Sequence, residues 1–216
     1  MFSWEGILGL VIVLGVILFS MVLHELAHGV VAYWLGDDTA KDDGRLTLNP
    51  VKHIDPVMSI LVPVLLYISG GPIFGGAKPV PVDTRNLKFG AWGMALVAIA
   101  GPITNFLIAL ISFLIGYWTG WLNMSGIVGT IFLELVLVNL GFGIFNLIPI
   151  PPLDGSRVLY ALAPDVVREG MEKFEKIGII VVMILVIAFP GVISKIMLGG
   201  IQGMLTGFYW LVGVAV

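Results

Sequence analysis

Leu23-His24-Glu25-Leu26-Ala27-His28-Gly29 sits inside a run from Gly6 to Leu35 that is otherwise as apolar as a membrane span. Two histidines at i and i+4 lie about 40° apart around a helix, so both imidazoles can reach one metal ion. Glu25, on a neighbouring face, can then reach a water at that ion, the arrangement of a His-Glu-x-x-His hydrolase. Ionisable groups within a span are costly and mark function by default. The bland alternative is a pair of helix histidines satisfied by hydrogen bonds without a metal.

The rest of the composition agrees with a membrane setting. The chain has 216 residues, 58% of them hydrophobic and 12% charged, and a mean hydropathy of +1.05. Soluble domains carry about 25% charged residues. There is no cysteine, so disulfides, thiolate metal ligands and a cysteine nucleophile are excluded. A metal must be held by histidine and carboxylate, which favours a catalytic zinc site over a structural one. The net charge of -3 supplies no basic field for nucleic acid. The start of the chain carries no Lys or Arg before an apolar run too long for a signal-peptide core, and is expected to be a retained first span.

Apolar segments run over Ile7–Leu35, Val57–Ile68, Ala91–Leu122, Ile127–Ile148, Ile177–Phe189 and Val192–Val216. A helical crossing takes about 20 residues, so the first, third, fourth and sixth suffice alone. Val57–Ile68 is short and contains Pro63, which reads as a re-entrant or interfacial segment. Ten of the eleven basic residues then share one side, the cytoplasmic one, with the N-terminus outside and the C-terminus returned to the cytoplasm. Pro164 suits a first helical position, and Val166, Val167, Gly170, Met171, Phe174 and Ile177 recur with a helical period, which predicts an amphipathic helix. One membrane domain, 1–216, is expected, with its core at about 7–160 and a C-terminal helix and hairpin over 164–216.

A hydrolytic zinc needs a third protein ligand and an open position. Glu134, His53, Asp55 and Asp154 are the candidates. Glu134 lies about 18 Å along its helix from Asn146, and His53 and Asp55 fall in a proline-bounded loop. Asp154 fits better, because Pro149, Pro151 and Pro152 force the chain out of helix and can fold a carboxylate back toward the first span. A plain helix-terminating turn is the alternative. Asn139, Gly143 and Asn146 form one polar, small-residue stripe whose simplest role is interhelical hydrogen bonding, and Gly101-x-x-x-Asn105 allows close helix approach.

These residues resemble the site-2 protease family of intramembrane zinc metalloproteases, in its compact prokaryotic branch. The resemblance rests on His24-Glu25-Leu26-Ala27-His28, Ala100-Gly101-Pro102-Ile103-Thr104-Asn105, and Phe145-Asn146 through Leu153-Asp154-Gly155. It implies one zinc ion per chain held by His24, His28 and Asp154, with Glu25 as general base. It also implies that Asn105 and Asn146 help hold substrate or a developing oxyanion. The fold implied is an all-α polytopic membrane bundle of about five to six transmembrane segments, with a re-entrant segment and a short membrane-associated β-hairpin over 70–83. The edge of that hairpin, at Ala77, Lys78, Val80 and Val82, is a candidate for pairing with unwound substrate, and a structural loop is the alternative. The expected activity is hydrolysis of peptide bonds in or near the spans of single-span membrane proteins, in a bacterial or archaeal cell membrane. Regulatory membrane partners and a homo-oligomer are both compatible. Metal-ion or proton transport through the same His/Glu/Asp cluster, and a silent scaffold, are the rival readings.

Overall fold

The computed structural model describes residues 4–61, 64–65, 68, 77–175 and 177–214. Its elements are helical: α1 (Trp4–Trp34), a short α2 (Thr39–Asp42), α3 (Ala91–Trp118), α4 (Ile127–Asn146), α5 (Asp154–Leu162), α6 (Asp165–Glu175), α7 (Gly178–Ala188) and α8 (Pro190–Leu211). Single turns of tighter or wider helix occupy Pro50–Lys52, Pro56–Leu61 and Trp121–Asn123. No β-strand occurs among the described residues. The glycine-rich half of the expected hairpin, 70–76, and part of the segment Val57–Ile68 lie outside them.

Three helices are long and apolar enough to cross a bilayer: Gly6–Trp34, Ala91–Trp118 and Ile127–Asn146. A bent pair, Ile180–Val186 with Pro190–Leu211 at 87°, makes a fourth if it is one span. The protein is thus a multi-pass membrane protein with three or four such spans among the described residues; the expected five to six include Val57–Ile68, which lies partly outside them, and the C-terminal passages, where α7 has only 11 residues and α8 carries Lys195 and Gln202. Tryptophans mark the ends of the two longest spans. Trp4 and Trp34 bound α1, Trp92 and Trp118 bound α3, and all four are exposed. Their separations, about 45 and 39 Å, match a bilayer with its interfacial zones.

α1 ends in a Schellman turn: the Gly36 N–H donates to Tyr33 O, the Asp37 N–H donates to Ala32 O, and Gly36 has φ 104°, a conformation glycine adopts without strain. Asp37 is buried just beyond. Its Oδ1 accepts from the Thr39 hydroxyl and the Asn86 amide, and its Oδ2 accepts from the Asp83 N–H at 2.8 Å. Burial pushes the Asp37 carboxyl up, but these hydrogen bonds outweigh it and hold the group below its ordinary value. Asp37 therefore anchors the segment 77–83, which runs extended back along α1.

α3 is the central element, packed on α4, α1 and α5. Ala109 and Phe113 of α3, Val136 and Leu140 of α4, and Phe208 of α8 form one apolar core. Val13, Ile17 and Met21 of α1 form another, against which Ala77, Val138 and Phe142 pack. A third joins Ala32, Leu87 and Val97, with Val82 against it. The amphipathic helix expected after Pro164 is present as α6, tied to α5 by Arg157 with Glu175 and by the Tyr160 hydroxyl on Glu172 at 2.7 Å.

Candidate metal centre

His24 and His28 occupy adjacent turns of α1, 10 and 6 residues before Trp34, or about 15 and 9 Å below that end of the helix. Their Nε2 atoms lie 2.9 Å apart. Asp154 reaches both, with Oδ2 3.2 Å from His24 Nε2 and Oδ1 3.4 Å from His28 Nε2. It gets there because the chain leaves α4 at Asn146, turns through Ile148 and Ile150, and restarts as α5 with Asp154 as its first residue. The turn is tight enough to require glycine: a Cβ on Gly155 would lie 2.1 Å from Leu147 O. Both histidines and the Asp154 carboxylate are largely enclosed, and Oδ2 of Asp154 is buried without a hydrogen-bond partner.

Several features of this arrangement suit a zinc ion. The ligand atoms stand 2.9 to 3.4 Å apart, close to the edge of about 3.3 Å of a tetrahedron built on zinc bonds of about 2.0–2.1 Å. His28 Nδ1 lies 2.7 Å from Val97 O. A carbonyl only accepts, so Nδ1 donates, and in the neutral ring Nε2 presents its lone pair to the cluster. The cradle is kept open by Gly101 of α3, where a Cβ would come within 2.5 Å of His24 Cε1 and His28 Nε2. The donor set is two neutral nitrogens and one carboxylate, a catalytic rather than a structural set. Hydrogen bonding alone accounts for the two Nδ1 atoms but leaves two Nε2 atoms and an unpartnered carboxylate oxygen facing one another.

Glu25 belongs to the same cluster, and its Oε2 accepts the Val80 N–H at 2.7 Å. The extended segment is thereby fastened to the site. Lys78 N–H donates to His53 O at 2.9 Å, and Arg45 donates to Lys78 O at 2.6 Å and to Pro79 O at 3.2 Å. Val80 is buried. Asn105 is fully buried, with one end 2.6 Å from His24 Nδ1 and the other 2.8 Å from Asn139. Asn146, partly exposed, donates to Phe142 O of its own helix at 3.1 Å. His53 is buried and bonds Thr47 O at 2.8 Å, which orders its loop. Neither His53, Asp55 nor Glu134 joins the cluster. Three participants were missed by sequence reasoning: Val97 O, the Asp37 anchor, and the Val80 N–H as a partner of Glu25. All three are contacts between residues far apart in the chain, and for the two backbone groups no side-chain type could have signalled them.

A bundle of bilayer-length helices that encloses two histidines and two carboxylates defines a polytopic membrane metalloenzyme. The model of peptidase family M50 matches residues 120–189. The "Putative zinc metalloprotease YwhC" of Bacillus subtilis (strain 168) is 42% identical over 175 residues, which is 78% of this chain and 77% of that protein. The "Putative zinc metalloprotease Rip2" of Mycolicibacterium smegmatis is 31% identical over 174 residues, 79% of this chain and 64% of that protein. "Zinc metalloprotease MJ0392" of Methanocaldococcus jannaschii is 30% identical over 167 residues, 77% of this chain and 38% of that protein. No solved structure matches. The chain belongs to peptidase family M50, and zinc is its metal. Transport of metal ions or protons draws no support from these matches.

Proposed function

We propose that this protein hydrolyses peptide bonds within the bilayer, with His24, His28 and Asp154 holding one zinc ion and Glu25 acting as general base. The observation that carries the reading is the convergence of three ligand atoms beside a carboxylate, some 9 to 15 Å inside a membrane-spanning helix. Bound zinc supplies a Lewis acid that acidifies water and polarises a carbonyl. Glu25 takes the proton of the attacking water and returns it to the leaving amine. Its hydrogen bond from Val80 holds the carboxylate in place while leaving its other oxygen for that water. Asn146, with its side-chain nitrogen committed to Phe142 O, is proposed to face the substrate through its oxygen.

Single-span membrane proteins are the proposed substrates, and their helices must unwind before cleavage. Strand addition at 77–83 has a specific limit. The N–H groups of Lys78 and Val80 are committed to His53 and Glu25, and Pro79 and Pro81 have none. An incoming strand must use carbonyl groups, the Ala77 or Val82 N–H, or a Val80 N–H released from Glu25. We place the N-terminus outside and the basic loops in the cytoplasm, with the bent pair α7–α8 and the segment Val57–Ile68 as the further membrane passages. A bacterial or archaeal cell membrane is proposed from the resemblance to the compact prokaryotic branch of the family.

The decisive experiment reconstitutes wild type and Glu25→Gln with a library of single-span substrates and reads the cleaved bonds by mass spectrometry. Wild type cleaves; the variant loses hydrolysis by at least about a hundredfold and keeps its zinc. Equal product from both proteins would overturn the assignment of Glu25.

A further inference from the structure

A buried polar chain crosses three helices beside the metal centre, from Leu135 through Asn139 and Asn105 to His24. Asn105 and Asn139 are both 0% exposed, so their hydrogen-bonding groups must be satisfied within the protein. Asn139 directs one side-chain amide atom at Leu135 O and Ser20 Oγ, each at 2.8 Å, and the other at Asn105, also at 2.8 Å. Leu135 O is a carbonyl and only accepts. The atom facing it is therefore Nδ2, and the atom facing Asn105 is Oδ1. Asn105 must then turn its Nδ2 to Asn139 and its Oδ1 to His24 Nδ1, 2.6 Å away. Because that oxygen only accepts, the His24 proton sits on Nδ1, and in a neutral imidazole Nε2 is left with a lone pair toward His28 and Asp154.

We infer that Asn139 is a positioning residue of the zinc site: it fixes the amide orientation of Asn105, which fixes the tautomer of His24. The inference rests on the reading of His24 as a zinc ligand. His28 obtains the same result from one backbone carbonyl, Val97 O. His24 lies deeper along α1, and there the polarity is carried across α3 to a carbonyl of α4 by two neutral amides. A carboxylate would orient the imidazole equally well, but it would add a charge at membrane depth.

The test compares wild type, Asn139→Leu and Asn139→Asp as purified full-length protein. Zinc retention is titrated against a chelator, and the His24 tautomer is read from nitrogen-15 NMR of the zinc-free protein. With Leu at 139, Asn105 is free to present its Nδ2 to His24; the Nε2–H form appears, and zinc retention weakens by about 10- to 100-fold. With Asp at 139, Asn105 keeps its acceptor, so the Nδ1–H form and zinc retention persist. Its second oxygen faces Leu135 O, so the unfolding midpoint falls. A merely structural Asn139 would instead lower the midpoint in both variants with tautomer and zinc unchanged, and that result overturns the inference. So does a wild-type His24 in the Nε2–H form, which is decisive even if the Leu variant fails to fold. A wild type that holds no zinc while His24 stays Nδ1–H would defeat the zinc reading instead of the relay.

Discussion

The side chain of Gly101 is absent for a reason that can be measured. Two imidazoles occupy the space its Cβ would fill, and neither can retreat, because each is pinned through Nδ1, His24 on Asn105 and His28 on Val97 O. Gly101→Ala should therefore displace a ligand instead of filling a void, and at least a tenfold loss of zinc retention is expected. Metal analysis after dialysis against a chelator measures this; zinc retained at the wild-type level would mean that the rings yield. At this scale much of the site was legible. His24, Glu25 and His28 announce themselves because the i, i+4 spacing is set by helix geometry and because charged groups are rare in so apolar a run. Asp154 was legible through its prolines. Asn105 was read both as a polar group near the substrate and as a tie between helices, and its side chain bonds His24 and Asn139; motif position says that a polar group is near the site but not which way it points.

The element fastened directly to Glu25 is the extended segment 77–83. It is anchored at one end by Asp37 and at the other by His53 and Arg45, and between them it gives the Val80 N–H to Glu25. Pro79 and Pro81 stiffen it on either side. Val80→Pro removes the donor without adding bulk far from the backbone. Since a hydrogen bond to a charged group contributes about 1.5–3 kcal/mol, single-turnover cleavage should slow about tenfold or more, with zinc content unchanged. An unaltered rate would show that Glu25 needs no support from this segment. The extended conformation was readable from proline and glycine content, but its docking on Glu25 was not, because the two residues are 55 positions apart. For the helices, α1, α3, α4 and α6 follow directly from hydropathy and period. α8 was likewise expected from the apolar segment Val192–Val216, but the role of α7 was not, since 11 apolar residues are compatible with half a span, a buried helix or an interfacial turn.

Across the whole molecule, the proposed metal centre lies where α1, with His24 and His28, and α5, with Asp154, meet across α3, which packs on both. Binding at such a junction stabilises the native state by mass action. Chelation should lower the unfolding midpoint in detergent and added zinc should restore it, whereas Asp154→Ala should have the lower midpoint with or without chelator. A midpoint indifferent to chelation in wild type would place the ion outside this junction. The same architecture explains why the site can exist in a bilayer. Its polar atoms face inward onto one another, while large apolar side chains of α1, α3 and α4, among them Phe19, Ile103 and Leu133, face outward.

The amino-acid sequence by itself determined that this is a helical membrane protein with a histidine–carboxylate metal site. Both properties are local: hydropathy sets the spans, and helical periodicity places His24 and His28 on one face of adjacent turns with Glu25 beside them. Only the tertiary structure decided which oxygen completes the ligand set, which amide holds Glu25, and which nitrogen of His24 carries its proton. Those depend on the direction of contacts between different segments, Val80 on Glu25, Asn105 on His24 and Asp154 beside His24, and such direction is a property of packed helices that no spacing in the chain encodes.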